Sequence, residues 1–165
     1  MSDITPILPR LHDTTVRNRR QAIAALAEAG NPAAVPYIAG MLGDPHPQVR
    51  RDAILALGRF DDATVVPHLI AALADEVPEN RAAAIAALGR RGDPSAAPAL
   101  AGCLSDREME VRIGAAVTLG RLGSRTAGEA LERATHDPFQ EVRDAATEAL
   151  RKITRREASA RRLRT

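Results

Sequence analysis

"DPHPQVRRDAILALG" occupies Asp44 to Gly58. Its Pro47 suits the first turn of a helix, where a backbone N–H has no partner to lose. Val49, Ala53, Ile54, Ala56 and Leu57 then follow at the spacing that gathers apolar side chains on one side of an α-helix, and Gly58 stands near its end. The stretch recurs along the chain at a period of 31 residues without an insertion. Asp13, Asp44, Asp75, Asp106 and Asp137 form one column, and Arg19, Arg50, Arg81, Arg112 and Arg143 a second. Leu26, Leu57, Leu88, Leu119 and Leu150 form a third; Ala22, Ala53, Ala84, Ala115 and Ala146 form a fourth.

The half preceding each copy also repeats, with Ile7, Ile38, Leu69, Leu100 and Leu131 aligned and Pro36, Pro67 and Pro98 aligned. "PAAVPYIAGMLGD" (32–44) therefore predicts a first helix, A, ahead of a second, B, over 46–60. Corresponding pairs are expected at 64–74 with 78–91, 95–105 with 109–122, and 126–135 with 140–154. The first unit is abbreviated to "TPILPRLH" and a helix from about 15 to 28, and reads as a cap. Five units follow, over about 1–30, 31–61, 62–92, 93–123 and 124–154, in a single domain 1–154 with a basic tail at 155–165. A unit this short has apolar residues on two sides and must stack on its neighbours to bury them. The expected fold is an all-α solenoid, with the alanine column marking close approach of successive B helices.

Composition agrees. With no Trp, one Tyr and two Phe, the core must be aliphatic, and Ala and Leu lose little side-chain freedom in a helix. The single cysteine, Cys103, has no partner for an internal disulfide and shares a column with Met41, Ala72 and Ala134, the place of an inert core thiol. The start "MSDITPILPRLHD" lacks the pattern of a signal peptide, and no apolar stretch is long enough to span a membrane, so a soluble, cytoplasmic protein is expected. The net charge of +2 is uneven: residues 151–165 hold seven Arg or Lys against one Glu, leaving 16 basic and 20 acidic residues before them. The basic character belongs to the end of the chain.

The pattern Asp, a short gap, Val-Arg, Ala and Leu-Gly, with "GDPSAAPAL" (92–100) in the A half, resembles HEAT repeats of the bilin-lyase-like subtype over about residues 4 to 153. The resemblance implies a right-handed superhelix whose B helices line a concave surface. It also implies that the repeated Asp and Arg form a ladder of charge-assisted hydrogen bonds tying each loop to the neighbouring repeat.

A constellation present in every repeat is scaffolding, since catalysis needs one asymmetric site. Function is expected where the repeats differ. The residue after the ladder arginine is Arg20, Arg51, Ala82, Ile113 or Asp144, and four further on stand Ala24, Leu55, Ala86, Val117 and Glu148. On the resemblance, these define a groove with an apolar centre of Leu55, Ala82, Ala86, Ile113 and Val117. One turn further lies a mostly basic row, Glu28, Arg59, Arg90, Arg121 and Lys152. Arg51, Leu55, Arg59, Ala82, Ala86, Arg90, Ile113, Val117 and Arg121 are the expected partner-binding residues, for a protein partner. No cofactor and no metal are expected: His12 and His136 share a column, His46 and His68 stand apart, and the chain lacks the His-Glu pairs of the HEAT-like deoxyhypusine hydroxylases. Without Trp or an aromatic row to stack bases, nucleic-acid repair is not expected. A linear tetrapyrrole, as handled by bilin lyases, is the alternative ligand implied by the resemblance. An anionic polymer on the tail is the third, although like charges without an apolar stripe predict a solvated, mobile end. Such uniform repeats are also what a consensus-derived array would show.

Overall fold

The computed structural model describes residues 2–162, so the last three residues of the predicted tail lie outside the described residues. All its regular structure, among those residues, is helical. The chain forms two compact units that divide between Ala87 and Leu88.

In the first unit a 3-10 turn, Leu8–His12, leads into α1 (Val16–Ala29). Next come α2 (Val35–Gly40), α3 (Pro47–Leu57), α4 (Val65–Ala71) and most of α5 (Pro78–Arg91). Helix α3 packs on α1, α2 and α4. The second unit contains α6 (Ala97–Gly102), α7 (Met109–Leu122), α8 (Gly128–Ala134) and α9 (Gln140–Arg162); α7 lies along α9, with α6 against α7 and α8 against α9. The long helices thus start at Val16, Pro47, Pro78, Met109 and Gln140, and a short helix precedes each of the last four.

The short A helices and the last helix depart from the sequence expectation, the A helices each carrying a 3-10 turn at one or both ends. Helix A of the second repeat is not one continuous helix: 3-10 turns at Pro32–Ala34 and Met41–Gly43 bracket α2. The tighter final turn lets Asp44 N–H bond the Met41 carbonyl at 3.2 Å as the chain turns extended for the next loop. Helix α9, expected to end near 154, runs to Arg162. Nothing in "TRREASARR" breaks a helix, and Thr154 and Ser159 hydroxyls bond back to the Leu150 and Arg155 carbonyls.

Leu26, Leu57, Leu88 and Leu119 are fully buried, as are all five alanines of the column Ala22 to Ala146. Cys103 is buried too. Helix α7 also approaches α9 closely at a glycine: a Cβ on Gly120 would stand 2.8 Å from Ala149 Cα. At the end of α7, Gly123 adopts φ +70°, the left-handed conformation that lets the chain leave the helix without a Cβ clash.

Candidate functional site

Each ladder aspartate fixes its own loop. Its Oδ1 accepts the backbone N–H two residues on, from Thr15, His46, Val77, Glu108 and Phe139 in turn, at 2.8–2.9 Å. The residues so held are the ones immediately before the long helices, so the carboxylate anchors the helix start. Each ladder arginine then reaches back: its Nη1 donates to the carbonyl of the aspartate six residues before it, from 2.8 Å in Arg112 and Arg143 to 3.0 Å in Arg19 and Arg50.

The remaining edge of the guanidinium faces the next loop. Arg19 grips Asp44 through Nε at 2.7 Å and Nη2 at 2.9 Å. Arg50 grips Asp75 at 2.8 and 3.1 Å, and Arg112 grips Asp137 at 2.7 and 3.1 Å. Arg50 also reaches Glu76, at 2.7 Å. Burial opposes ionisation of Asp44 and Asp75, but the arginine fork and the loop N–H outweigh it and hold both below the ordinary carboxylate value. Asp137 is lowered chiefly by its hydrogen bonds from Arg112. Asp13 is also lowered, by the Thr15 N–H and the Asn18 amide rather than by an arginine grip. Arg81 donates to the Asp75 and Glu76 carbonyls, and Asp106 receives Glu108 N–H.

The residues expected to bind a partner lie on the outward sides of the long helices. In the first unit Arg51, Leu55 and Arg59 form an exposed row on α3, with Leu55 41% exposed; on α5, Ala86 is exposed and Ala82 half-buried. In the second unit Arg90 and Arg121 are exposed and Val117 is 43% exposed, whereas Ile113 is half-buried. Of the expected apolar residues, Leu55 in the first unit and Val117 in the second are the large ones left exposed. Half of Ile113 is taken up by packing, which the i,i+4 rule does not report.

Other contacts had no signal in the repeat columns. Arg20 pairs with Asp52 at 2.6 Å, across 32 residues rather than one period, so that no column reports the bridge. Phe139, 49% exposed, lies with its ring centroid 5.5 Å from the Arg112 guanidinium, a cation–π contact. Tyr37 is 47% exposed. In the basic end of α9, Arg156 donates to the Arg121 carbonyl at 2.6 Å and Glu157 pairs with Arg125 at 3.0 Å, so part of the expected mobile tail is seated against the end of α7. Among the described residues no cluster of three His, Cys, Asp or Glu side chains could hold a metal ion, and no helix is long and apolar enough to cross a membrane.

The family of HEAT repeats matches this chain over residues 4–79 and 66–151. No curated protein matches it. Among solved structures, the complex of CpcE and CpcF of phycocyanin lyase from Nostoc sp. PCC7120 is similar, with 23% identity, a TM-score of 0.73, and 94% of this chain and 66% of that chain covered. A designed armadillo repeat protein in complex with the peptide (KR)4 has 18% identity and a TM-score of 0.66, covering 91% of this chain and 81% of that one. Human deoxyhypusine hydroxylase in complex with glycerol has 16% identity and a TM-score of 0.51, over 92% and 96%. Identities this low speak for the fold, which is of the all-α solenoid class. Since the two family segments overlap and together run from residue 4 to residue 151, the chain belongs to the HEAT-repeat family.

Proposed function

We propose that the chain is a non-catalytic protein-binding scaffold. Its partner engages the outward side of the long B helices, the side that the HEAT resemblance makes concave. The observation that carries the reading is the pair of large apolar side chains left exposed there: Leu55, 41% exposed with Arg51 and Arg59 one turn to either side, and Val117, 43% exposed with Ile113 and Arg121. An apolar anchor rimmed by arginine is a usual composition of a protein contact centre. The ladder's role is to hold each helix in place, so that the anchors are presented without an ordering cost.

The test is affinity capture with the wild type and a Leu55→Glu/Val117→Glu double variant shown to be folded by circular dichroism. A stoichiometric protein partner is expected with the wild type and not with the variant. The same captured set with both, or none with either, would remove these faces as the site.

A second reading follows from the similarity to the phycocyanin lyase complex. A linear tetrapyrrole would lie on the apolar anchors with its propionates at the arginines. It stands second because 23% identity carries the fold and not the chemistry. It predicts a visible absorbance change on mixing the protein with a linear tetrapyrrole.

A further inference from the structure

The ladder leaves a cleft beside a rung in each unit. In the first unit Leu42, Arg50, Ala71, Ala74 and Glu76 line a cleft of about 420 Å³ at the Arg50–Asp75 rung. In the second unit the residues two periods later, Leu104, Arg112, Arg133, His136 and Pro138, line one of about 520 Å³ at the Arg112–Asp137 rung, and Phe139 joins them. Both loops that frame this second cleft, and both members of its rung, belong to the same unit. The fold therefore makes the cleft, and the lining is what differs. Arg133 and His136 stand where the first cleft has Ala71 and Ala74. Glu76, which takes Arg50 Nη2 at 2.7 Å, is matched by Pro138, and Arg112 instead faces the Phe139 ring at 5.5 Å. One arginine meets two carboxylates, Asp75 and Glu76, in the first lining; Arg107, Arg112, Arg133 and His136 meet two, Asp106 and Asp137, in the second.

The partners of these groups show which are open to a ligand. Asp137 is held by the Arg112 fork and the Phe139 N–H, and Asp106 accepts the Glu108 N–H. Arg107 is shared with Glu108, 3.7 Å away and outside the lining. Arg133 is exposed and, among the described residues, forms no ion pair, even with Glu129 and Glu132 of its own helix. His136 Nδ1 lies 3.3 Å from the Glu132 carbonyl and 3.2 Å from the Thr135 hydroxyl, so Nε2 is the nitrogen open to a ligand. Phe139 keeps about half its surface exposed while the Asp137 carboxylate holds its N–H and the Arg112 guanidinium faces its ring, which presents a fixed aromatic edge to the cleft.

We propose that the cleft of the second unit binds a small phosphate monoester carrying an aromatic ring, of the nucleoside monophosphate class. The ring lies against Phe139, and the phosphate is held by Arg133 and His136 with Arg107 reaching in from the opposite loop. A cleft of this volume is of small-ligand size and exceeds what a bare anion fills. A phosphate suits cations on two sides of the cleft better than a carboxylate does, since it offers three acceptor oxygens and close to two negative charges rather than two oxygens and one. The site shares no residue with the Leu55 and Val117 faces, so it stands or falls separately from the protein-binding reading.

The experiment is isothermal titration calorimetry of the full chain with adenosine monophosphate, adenosine and inorganic phosphate. Adenosine monophosphate is expected to bind saturably, and the other two about tenfold more weakly or worse, since each supplies one half of the contact. Arg133→Ala/His136→Ala gives the second cleft residues that the first already carries in the same columns, and should weaken binding about tenfold. Phe139→Val, after Val77 of its column, should weaken it about threefold. Arg151→Gln, on the exposed side of α9 and outside the lining, should leave it unchanged. The two cleft variants alter separate halves of the site, so a folding defect in one leaves the other as the test. Absence of saturable binding by the wild type, binding that a folded cleft variant leaves unchanged, or inorganic phosphate binding as tightly as the nucleotide would each overturn the proposal.

Discussion

Arg50 shows how much one side chain does in this protein. It closes its own loop through Asp44, holds Asp75 of the next loop bidentately, and reaches Glu76 as well. Replacing it by alanine leaves a mostly buried carboxylate without its main donors, so Arg50→Ala should lower unfolding stability by about 1–3 kcal/mol in a urea titration. Arg50→Lys should recover only part of that loss, since the charge stays but the fork goes. The aspartates add a pH dependence. Asp44, Asp75 and Asp137 have lower pKa values folded than unfolded, so in acid the unfolded chain binds more protons. Their contribution is complete above the unfolded value of about 3.9 and is lost as pH falls below it toward the depressed native values. Melting temperatures should hold from pH 7 to about 5 and then drop steeply, with a shallower drop in Asp75→Asn. The columns of Asp and Arg were legible in the sequence because five copies cannot coincide by chance. The additional grip on Glu76 was not, because it belongs to a single repeat.

At the scale of the helix, repetition reports which residues are buried and leaves open how tightly. Gly120 and Gly102 illustrate the difference. Both are helical, and alanine in place of glycine ordinarily stabilises a helix by about 0.5–1 kcal/mol. Around Gly102 nothing lies within 4 Å of the would-be Cβ, so Gly102→Ala should raise stability by about that amount. At Gly120 the Cβ would collide with the α9 backbone, so Gly120→Ala should lower stability by about 1–3 kcal/mol despite the same gain in propensity. Thermal melts of the two variants should therefore shift in opposite directions. The sequence marked the alanine column as a place of close approach, and those alanines are fully buried; the contact at Gly120, five residues after Ala115, had no such mark. Helix ends were legible within a few residues where Pro or Gly punctuates them. They failed at α9, where a polar run without breakers continued the helix.

For the chain as a whole, most contacts join neighbouring elements, so damage should stay near its origin. Cys103, the single cysteine and buried in the second unit, makes this measurable by thiol labelling under native conditions. Gly120→Ala, in the same unit, should speed labelling of Cys103 more than Arg50→Ala, in the other, when the two are compared at equal loss of global stability. Equal acceleration would mean that the units open together. The candidate binding faces were legible as columns on helix B, but which members stand free was decided by packing: Leu55 and Val117 do, and Ile113 only half does.

The reach of the ladder also bears on how the protein is made. Every bidentate rung described joins residues 25 apart, a short span of chain. On a ribosome, the Arg19–Asp44 pair has both members in hand before Arg112 has been translated, and closing it waits for nothing later in the message. Synthesis and assembly can then proceed in the same order, each new loop being clasped by an arginine already in place.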